Sequence, residues 1–274
     1  MAGKFADSVV WVTGGGSGIG RALALEFARE GADVAVSGRR KDRLDEVVEA
    51  VEALGRRGLA VPCDVTDEAA TGAAVATIVD GLGKLDVAVA NAGFGVSGRF
   101  EKLTADDWRR QLDVNVVGTA ITIKAALPQL REHKGRAVMI ASVAGMVALP
   151  TSTAYSASKF AVRAMGLALS AELHGTGTTC TTIHPGFVES EINQVDNQGH
   201  FDPTREDKRP KKLMWTAEKA ARVIVRAVHA RKREYTFTAH GKVGGFFGRH
   251  APGLVHFAMT RGAGKRQAHG QAKA

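Results

Sequence analysis

A single-domain α/β fold, doubly wound on a parallel sheet of about seven strands with helices on both faces, is what this sequence predicts. Three observations predict it. Short β-branched runs alternate with longer stretches of helical periodicity from Ser8 to Ala239. Several of these runs are nearly continuous in apolar residues, as in strands covered on both faces. The first run feeds a glycine-rich turn that opens directly into a helix.

In chain order, Ser8–Thr13 ("SVVWVT") predicts a strand and Gly18–Glu30 a helix. Asp33–Ser37 predicts the second strand, followed by the charged helix Lys41–Leu54. Leu59–Cys63 and Leu85–Ala90 predict strands on either side of a helix at Glu68–Asp80. One long helix is expected over Ala105–Glu132, a strand over Arg136–Ala141 and a second long helix over Ser152–His174. Thr178–His184, the helix Ala217–Ala230 and the strand Glu234–Ala239 complete the alternation. Strand–helix alternation of this kind implies right-handed crossovers between parallel strands. No linker or repeat divides residues 1–240.

Two stretches break the pattern. Residues 191–215 ("EINQVDNQGHFDPTREDKRPKKLMW") are polar and poorly periodic, so a long loop is expected there, of the functional kind. Residues 241–274 form a basic extension, expected to be partly disordered. Six Lys and Arg and no acid lie between His240 and Ala274, so +6 of the chain's net +9 belongs there and +3 to the rest. The basicity describes the tail and gives no reason to expect nucleic acid as a partner. No apolar run approaches the roughly 18 residues of a membrane span. The N-terminus lacks a signal-peptide layout, so a cytoplasmic protein is expected. Cys63 and Cys180 sit in apolar strand-like runs and read as buried free thiols, and no Cys/His cluster has metal-ligand spacing.

The turn after the first strand reads "TGGGSGIG", Thr13 to Gly20. Glycines at 14, 18 and 20 allow a tight turn and close backbone approach to a pyrophosphate at a helix N-terminus. The second strand ends in "SGRR". Gly38 stands where a carboxylate would accept ribose hydroxyls, and Arg39 and Arg40 follow, matching a 2′-phosphate through charge-assisted hydrogen bonds. NADP(H) is therefore expected over NAD(H).

Tyr155 and Lys159 in "YSASK" are four apart, hence one above the other on a helix face. With "TGGGSGIG", "NAG" at 91–93, Asn115 in "LDVNVVGT", Ser142 in "IASVAG" and "HPGFVES" at 184–190, the chain resembles the short-chain dehydrogenase/reductase family in its short Tyr-x-x-x-Lys subtype, over roughly residues 5–240. The resemblance implies a Rossmann-like dinucleotide-binding catalytic domain with residues 191–215 as its substrate loop. It also implies hydride transfer between a nicotinamide and a carbonyl or secondary alcohol. Tyr155 is then the proton donor or acceptor, Lys159 its tuning cation, Ser142 the group that orients the carbonyl, and Asn115 a support for a proton relay. A phenol ionises near pH 10, and lowering it by ~3 units takes ~4 kcal/mol. One cation at ~4 Å supplies about that at an effective dielectric of ~20. Lys159 is expected to be that cation.

The resemblance also assigns cofactor contacts. They are Gly14, Gly16, Ser17, Gly18, Ile19 and Gly20 in the turn, Arg39 and Arg40, Asp64 and Val65 near the adenine, and Asn91, Ala92 and Gly93 under its ribose. Tyr155, Lys159, Pro185, Gly186, Val188 and Ser190 complete the set at the nicotinamide end. His184 reads as structural. Pairing through the two long helices implies a homodimer or homotetramer. Together these features predict an NADP(H)-dependent reductase of small-molecule ketones. Two rivals are a nucleotide-binding sensor or scaffold without turnover and a membrane-peripheral reductase of lipid ketones. For the tail, packing of Phe246–Met259 on the body or a partner is preferred to contact with an anionic membrane surface.

Overall fold

The structure, a computed structural model, describes residues 3–207 and 209–271, with side chains described as far as residue 261. Its described residues contain seven strands: β1 (Val9–Thr13), β2 (Asp33–Gly38), β3 (Gly58–Pro62), β4 (Val87–Ala90), β5 (Arg136–Ile140), β6 (Thr179–His184) and β7 (Glu234–Thr236). They pair in the order β3-β2-β1-β4-β5-β6-β7, every pair parallel. The chain winds outward from β1 to β3 and then restarts at β4 on the other side of β1. This reversal opens a crevice at the carboxyl ends of β1 and β4.

The strand pleat divides the apolar side chains between two cores. Val10 and Val12 of β1 face one core, closed by α1 (Gly18–Arg29), α2 (Lys41–Glu52) and α7 (Ala217–His229) through Leu23, Phe27, Leu44, Val47 and Ile224. Val9 and Trp11 face the other, closed by α3 (Glu68–Leu82), α5 (Gly118–Glu132) and α6 (Thr153–Glu172) through Ile78, Leu130 and Val162. Trp11 is fully buried and its indole N–H donates to Ser37 Oγ at 2.8 Å, which keeps that large side chain free of an unpaired donor.

The expected helix over 105–132 is present, with a π-helical turn inside it. It divides into α4 (Ala105–Leu112), a π-helical turn at Asp113–Val117, and α5. Thr104 and Asp107 close a capping box at the start of α4. The π turn widens the backbone around Asn115, as such bulges do near functional sites. Helical periodicity in 105–132 carries no mark of a single wider turn.

The last strand stops at Thr236, and Thr238 caps a helix that the sequence did not predict, α8 (Ala239–His250). Its composition, "AHGKVGGFFGRH", argues against an isolated helix because glycine costs about 1 kcal/mol at each interior position. Packing supplies the order: added Cβ atoms at Gly241 and Gly245 would lie 2.8 Å from Val143 Cγ2 and Met146 Sδ, and one at Gly248 would lie 2.7 Å from Val147 Cγ2. Only a glycine face lets α8 lie this close. Helix α9 (Pro252–Gln271) follows. Of the extension expected to be partly disordered, residues 272–274 lie outside the described residues. Among the described residues no helix is long and apolar enough to cross a membrane.

Candidate active site

Every motif singled out in the sequence ends at the carboxyl edge of the sheet, around a cleft of about 1040 Å³. Gly14 follows β1, Arg39 follows β2, Asn91 follows β4, Ser142 lies just past β5 and Pro185 follows β6. In the glycine turn, Gly14 and Gly18 hold φ of 62° and 50°, the left-handed region where a Cβ is strained. A Cβ on Gly14 would also come within 2.9 Å of Ala92 Cα. Asn91 locks the turn from below, its Nδ2 donating to the carbonyls of Thr13 (2.9 Å) and Gly14 (3.2 Å). Ser17 makes no side-chain cap on α1, and no acid occupies the first turn. The first N–H groups of that helix are thus left to an anion in the cleft.

At the adenine end, Arg39 and Arg40 are exposed beside the cleft, with Asp64 and Val65 on the same wall. Asp64 Oδ1 accepts from Thr66 N (3.0 Å) and Thr66 Oγ1 (2.8 Å), which fixes the turn after β3. Both arginines also touch the 191–215 loop. Arg40 Nη2 meets Glu191 Oε2 at 2.7 Å and donates to Ser17 Oγ at 3.3 Å, while Arg39 Nη2 donates to Gly199 O at 3.3 Å.

At the other end, Ser142, Tyr155 and Lys159 line one wall. Ser142 leaves β5 in extended conformation and caps the short turn Val143–Gly145, its Oγ accepting from Ala144 N at 3.1 Å. Lys159 is buried at 5% exposure and donates from Nζ to Ile140 O at 2.9 Å. An ammonium has three donors, so this bond leaves capacity directed toward the cleft, where ribose hydroxyls would be matched. Asn115 is fully buried. Its Nδ2 donates to Phe94 O (3.0 Å) and Ser158 Oγ (3.1 Å), and its Oδ1 accepts from Phe94 N (3.1 Å). Its side chain pins the π turn to the floor under Lys159, and Gly93 lies between them: a Cβ there would be 3.0 Å from Asn115 Oδ1 and 3.7 Å from Lys159 Nζ.

The expected electrostatics need correction. Lys159 Nζ sits 5.7 Å from the centroid of the Tyr155 ring. Burial raises the Tyr155 phenol above its ordinary value; the nearby Ser142 hydroxyl and the Arg209 guanidinium favour the phenolate without overcoming that effect. The same burial lowers the Lys159 ammonium to about 8. Both groups share one desolvated pocket, and desolvation disfavours whichever form is charged. The phenol therefore rests protonated, as a proton donor.

Arg209 escaped the sequence reading. It lies in the polar loop with no local pattern to mark it, yet it lines the cleft. Its Nη1 donates to Val188 O at 2.9 Å and its Nη2 bonds Asp207 Oδ2 at 2.7 Å, so the carboxyl of Asp207 is held well below the usual carboxylate range. Val188 and Ser190 line the cleft beside it: Val188 bridges to Trp215, and the Ser190 Cβ covers Gly18, at 3.1 Å from a Cβ added there. His184 is fully buried beneath Ser142, consistent with a structural residue. Cys63 and Cys180 are buried free thiols, and burial pushes Cys180 up to about 12. Among the described residues no group of three or more His, Cys, Asp or Glu side chains is placed to hold a metal ion.

The geometry fits a dinucleotide: an open helix N-terminus, a glycine turn without room for side chains, and a buried ammonium with spare donors. Comparison with known proteins agrees. The short chain dehydrogenase family model matches residues 8–200. The chain is 38% identical over 195 residues to a 3beta-hydroxysteroid dehydrogenase of Mediterraneibacter gnavus, covering 71% of each chain. It is 37% identical over 192 residues to an uncharacterized oxidoreductase of Staphylococcus aureus, covering 70% of this chain and 82% of that one. Among solved structures it is similar to a short-chain dehydrogenase of Burkholderia cenocepacia in complex with NADP, with TM-score 0.75 and 30% identity over 84% of this chain and 96% of that one. A short-chain dehydrogenase/reductase of Burkholderia phymatum in complex with NAD matches with TM-score 0.77 and 25% identity, over 84% and 89% of the two chains. With its seven-stranded parallel sheet and a glycine turn at the crevice, this chain belongs to the short-chain dehydrogenase/reductase family and is an NAD(P)-dependent oxidoreductase.

Proposed function

We propose that the enzyme reduces ketones to secondary alcohols with NADPH, and that its substrates are apolar and ring-sized. The observation that carries this reading is the joint placement of Ser142, Tyr155 and Lys159 on one wall of a cleft whose far end carries Arg39 and Arg40. When bound, the nicotinamide supplies the hydride. The chain's own groups do the rest. The Ser142 hydroxyl donates to the carbonyl oxygen and orients it. The Tyr155 phenol, kept protonated by burial, gives that oxygen its proton as negative charge develops there. Lys159 binds ribose hydroxyls and favours the phenolate left behind. Asn115 holds the floor on which Lys159 rests. Phe94, Val114, Ile192 and Val195 wall the cleft, which suits an apolar ketone. The similarity to a 3beta-hydroxysteroid dehydrogenase supports the same substrate class.

Arg39 is the better candidate to receive the 2′-phosphate, because Arg40 is already paired with Glu191. A steady-state assay with a panel of cyclic ketones tests both halves of the reading. The wild type is expected to have a higher kcat/KM with NADPH than with NADH, and Arg39→Asp to invert that ratio, shifting it by about tenfold or more. An unchanged ratio rules out the phosphate contact, and no turnover with either cofactor across the panel rules out ketone reduction. A homodimer or homotetramer through α4–α5 and α6 belongs to the same proposal.

One observation favours contact of the extension with an anionic membrane surface as a second reading. Val243 and Phe246 of α8 are each 59% exposed, and Leu254 and Phe257 of α9 are 55% and 50% exposed, in a segment without a single acid. Aromatic and aliphatic side chains flanked by cations suit the headgroup boundary. The full chain is expected to co-sediment with phosphatidylserine vesicles, and Phe246→Ser with Phe257→Ser to abolish it; wild-type protein left in the supernatant defeats this reading.

A further inference from the structure

We infer that α8, in the C-terminal extension, is part of the catalytic scaffold: Arg249, acting through Glu234 and His184, is a positioning residue for Ser142. This rests on the proposed role of Ser142 in orienting the carbonyl.

The contacts form a continuous line. Arg249 Nη2 donates to Glu234 Oε1 at 2.9 Å. The same oxygen receives Arg163 Nε from α6 at 2.9 Å and lies 3.0 Å from His184 Nε2. Hydrogen bonding to His184 and the two guanidinium groups hold Glu234 down at about 2, so it is a fixed carboxylate throughout the neutral range. His184 is fully buried, and its Nδ1 edge abuts the Ser142 carbonyl oxygen at 3.3 Å. The imidazole cannot shift without moving Ser142.

The segments on either side are laced together. Ala141 N donates to Ile183 O at 2.8 Å and Val143 N to Pro185 O at 2.9 Å. The Ser142 side chain reaches the same Pro185 carbonyl at 3.5 Å. Position of the His184–Pro185 peptide is therefore position of Ser142, main chain and hydroxyl alike. Glu234 sets the first, and Glu234 stands on β7, a three-residue strand at the sheet edge that pairs with β6 alone. Arg249 is the tether that closes this edge from outside.

Helix α8 has two further attachments to the same region. Its glycine face presses on Val143, Met146 and Val147, the turn that Ser142 itself caps. At its other end His240 Nε2 accepts from Phe187 N at 3.1 Å, and its ring stacks on Phe187 with centroids 4.9 Å apart. A surface helix that only covered the core would not need a shared carboxylate, a buried imidazole and a ring nitrogen accepting from the main chain, all gathered at the segments on either side of Ser142.

A double-mutant cycle separates positioning from general stability. Arg249 is partly exposed, so Arg249→Ala is expected to fold. It should lower kcat/KM for the ketone about fivefold, mainly through kcat, with the dissociation constant for NADPH changed less than about twofold. Arg249→Lys should recover most of the loss. In a Ser142→Ala background the same Arg249→Ala change should cost less than about twofold, because the hydroxyl it positions is gone. Glu234→Gln, isosteric but uncharged, should behave as Arg249→Ala does. Equal losses from Arg249→Ala in the two backgrounds, or none in either, overturn the inference. If Ser142→Ala alone keeps wild-type kcat/KM, it is instead the assigned role of Ser142 that fails.

Discussion

Replacing Tyr155 by Phe should lower kcat for ketone reduction by at least about a hundred-fold while the affinity for NADPH stays within about threefold. General acid catalysis by a positioned side chain contributes roughly 10²–10⁴ in rate. The loss is of proton transfer alone, since Phe keeps the ring and the packing of α6. Burial, which raises the Tyr155 phenol, also sets the pH dependence. For reduction the phenol must be protonated, and a raised value keeps it so through the neutral range, so the reduction rate should be flat from about pH 6 to 7 and fall from about pH 8 upward, where the Lys159 ammonium loses its charge. For alcohol oxidation the phenolate is required, so that rate should climb with pH from about pH 6 to 8. Fluorescence titration of NADPH beside single-turnover kinetics makes the distinction. A Phe variant that binds NADPH and still turns over at a wild-type rate means the proton comes from elsewhere.

Replacing Lys159 by Met should abolish most activity and change the pH dependence of stability. Burial lowers the Lys159 ammonium from 10.5 to about 8. The sign follows from where protons are bound. Below pH 8 both folded and unfolded chains carry the charge, and the folded state bears the full cost of burying it. Between 8 and 10.5 the folded state gives up its proton before the unfolded one, so that cost is relieved as pH rises. The span corresponds to about 3 kcal/mol. Met also leaves the Ile140 carbonyl without its donor, at about 1–3 kcal/mol, but that contribution does not depend on pH. The difference in unfolding free energy, Lys159→Met protein minus wild type, should therefore fall by about 3 kcal/mol between about pH 7.5 and 10.5. Urea denaturation at several pH values measures it. A difference that stays constant means the ammonium is solvated in the folded protein. Activity should drop by about a hundred-fold or more, because the phenolate left by proton transfer loses the ammonium beside it.

These two effects share a cause that the sequence hides. Four-residue spacing puts Tyr155 and Lys159 on one helical face, but it does not say how dry that face is. A cation near a phenol stabilises the phenolate, while removing both from water does the opposite, and the outcome depends on the walls around them. Those walls come from β5, the π turn and the 191–215 loop, which are distant in sequence. Arg209 is similar. It is one of many cations in a polar loop until the loop folds back to place it on Val188 O.

Local chemistry was enough for much of the rest. The strand runs, the glycine turn and the order of motifs fixed the sheet, its parallel sense and the edge where the site lies, because hydrophobic periodicity and φ > 0 requirements are properties of neighbouring residues. Asn91, Ser142 and Pro185 could be placed at strand ends for the same reason. What folding alone decided is of another kind: the π turn that aims Asn115 inward, the glycine-faced helix α8 where no helix was predicted, the pairing of Arg40 with Glu191, and the burial that shifts Tyr155 and Lys159 in opposite directions. Each depends on which remote atoms come within a few ångströms, and desolvation and close packing are set by those atoms rather than by the residue's own neighbours in the chain.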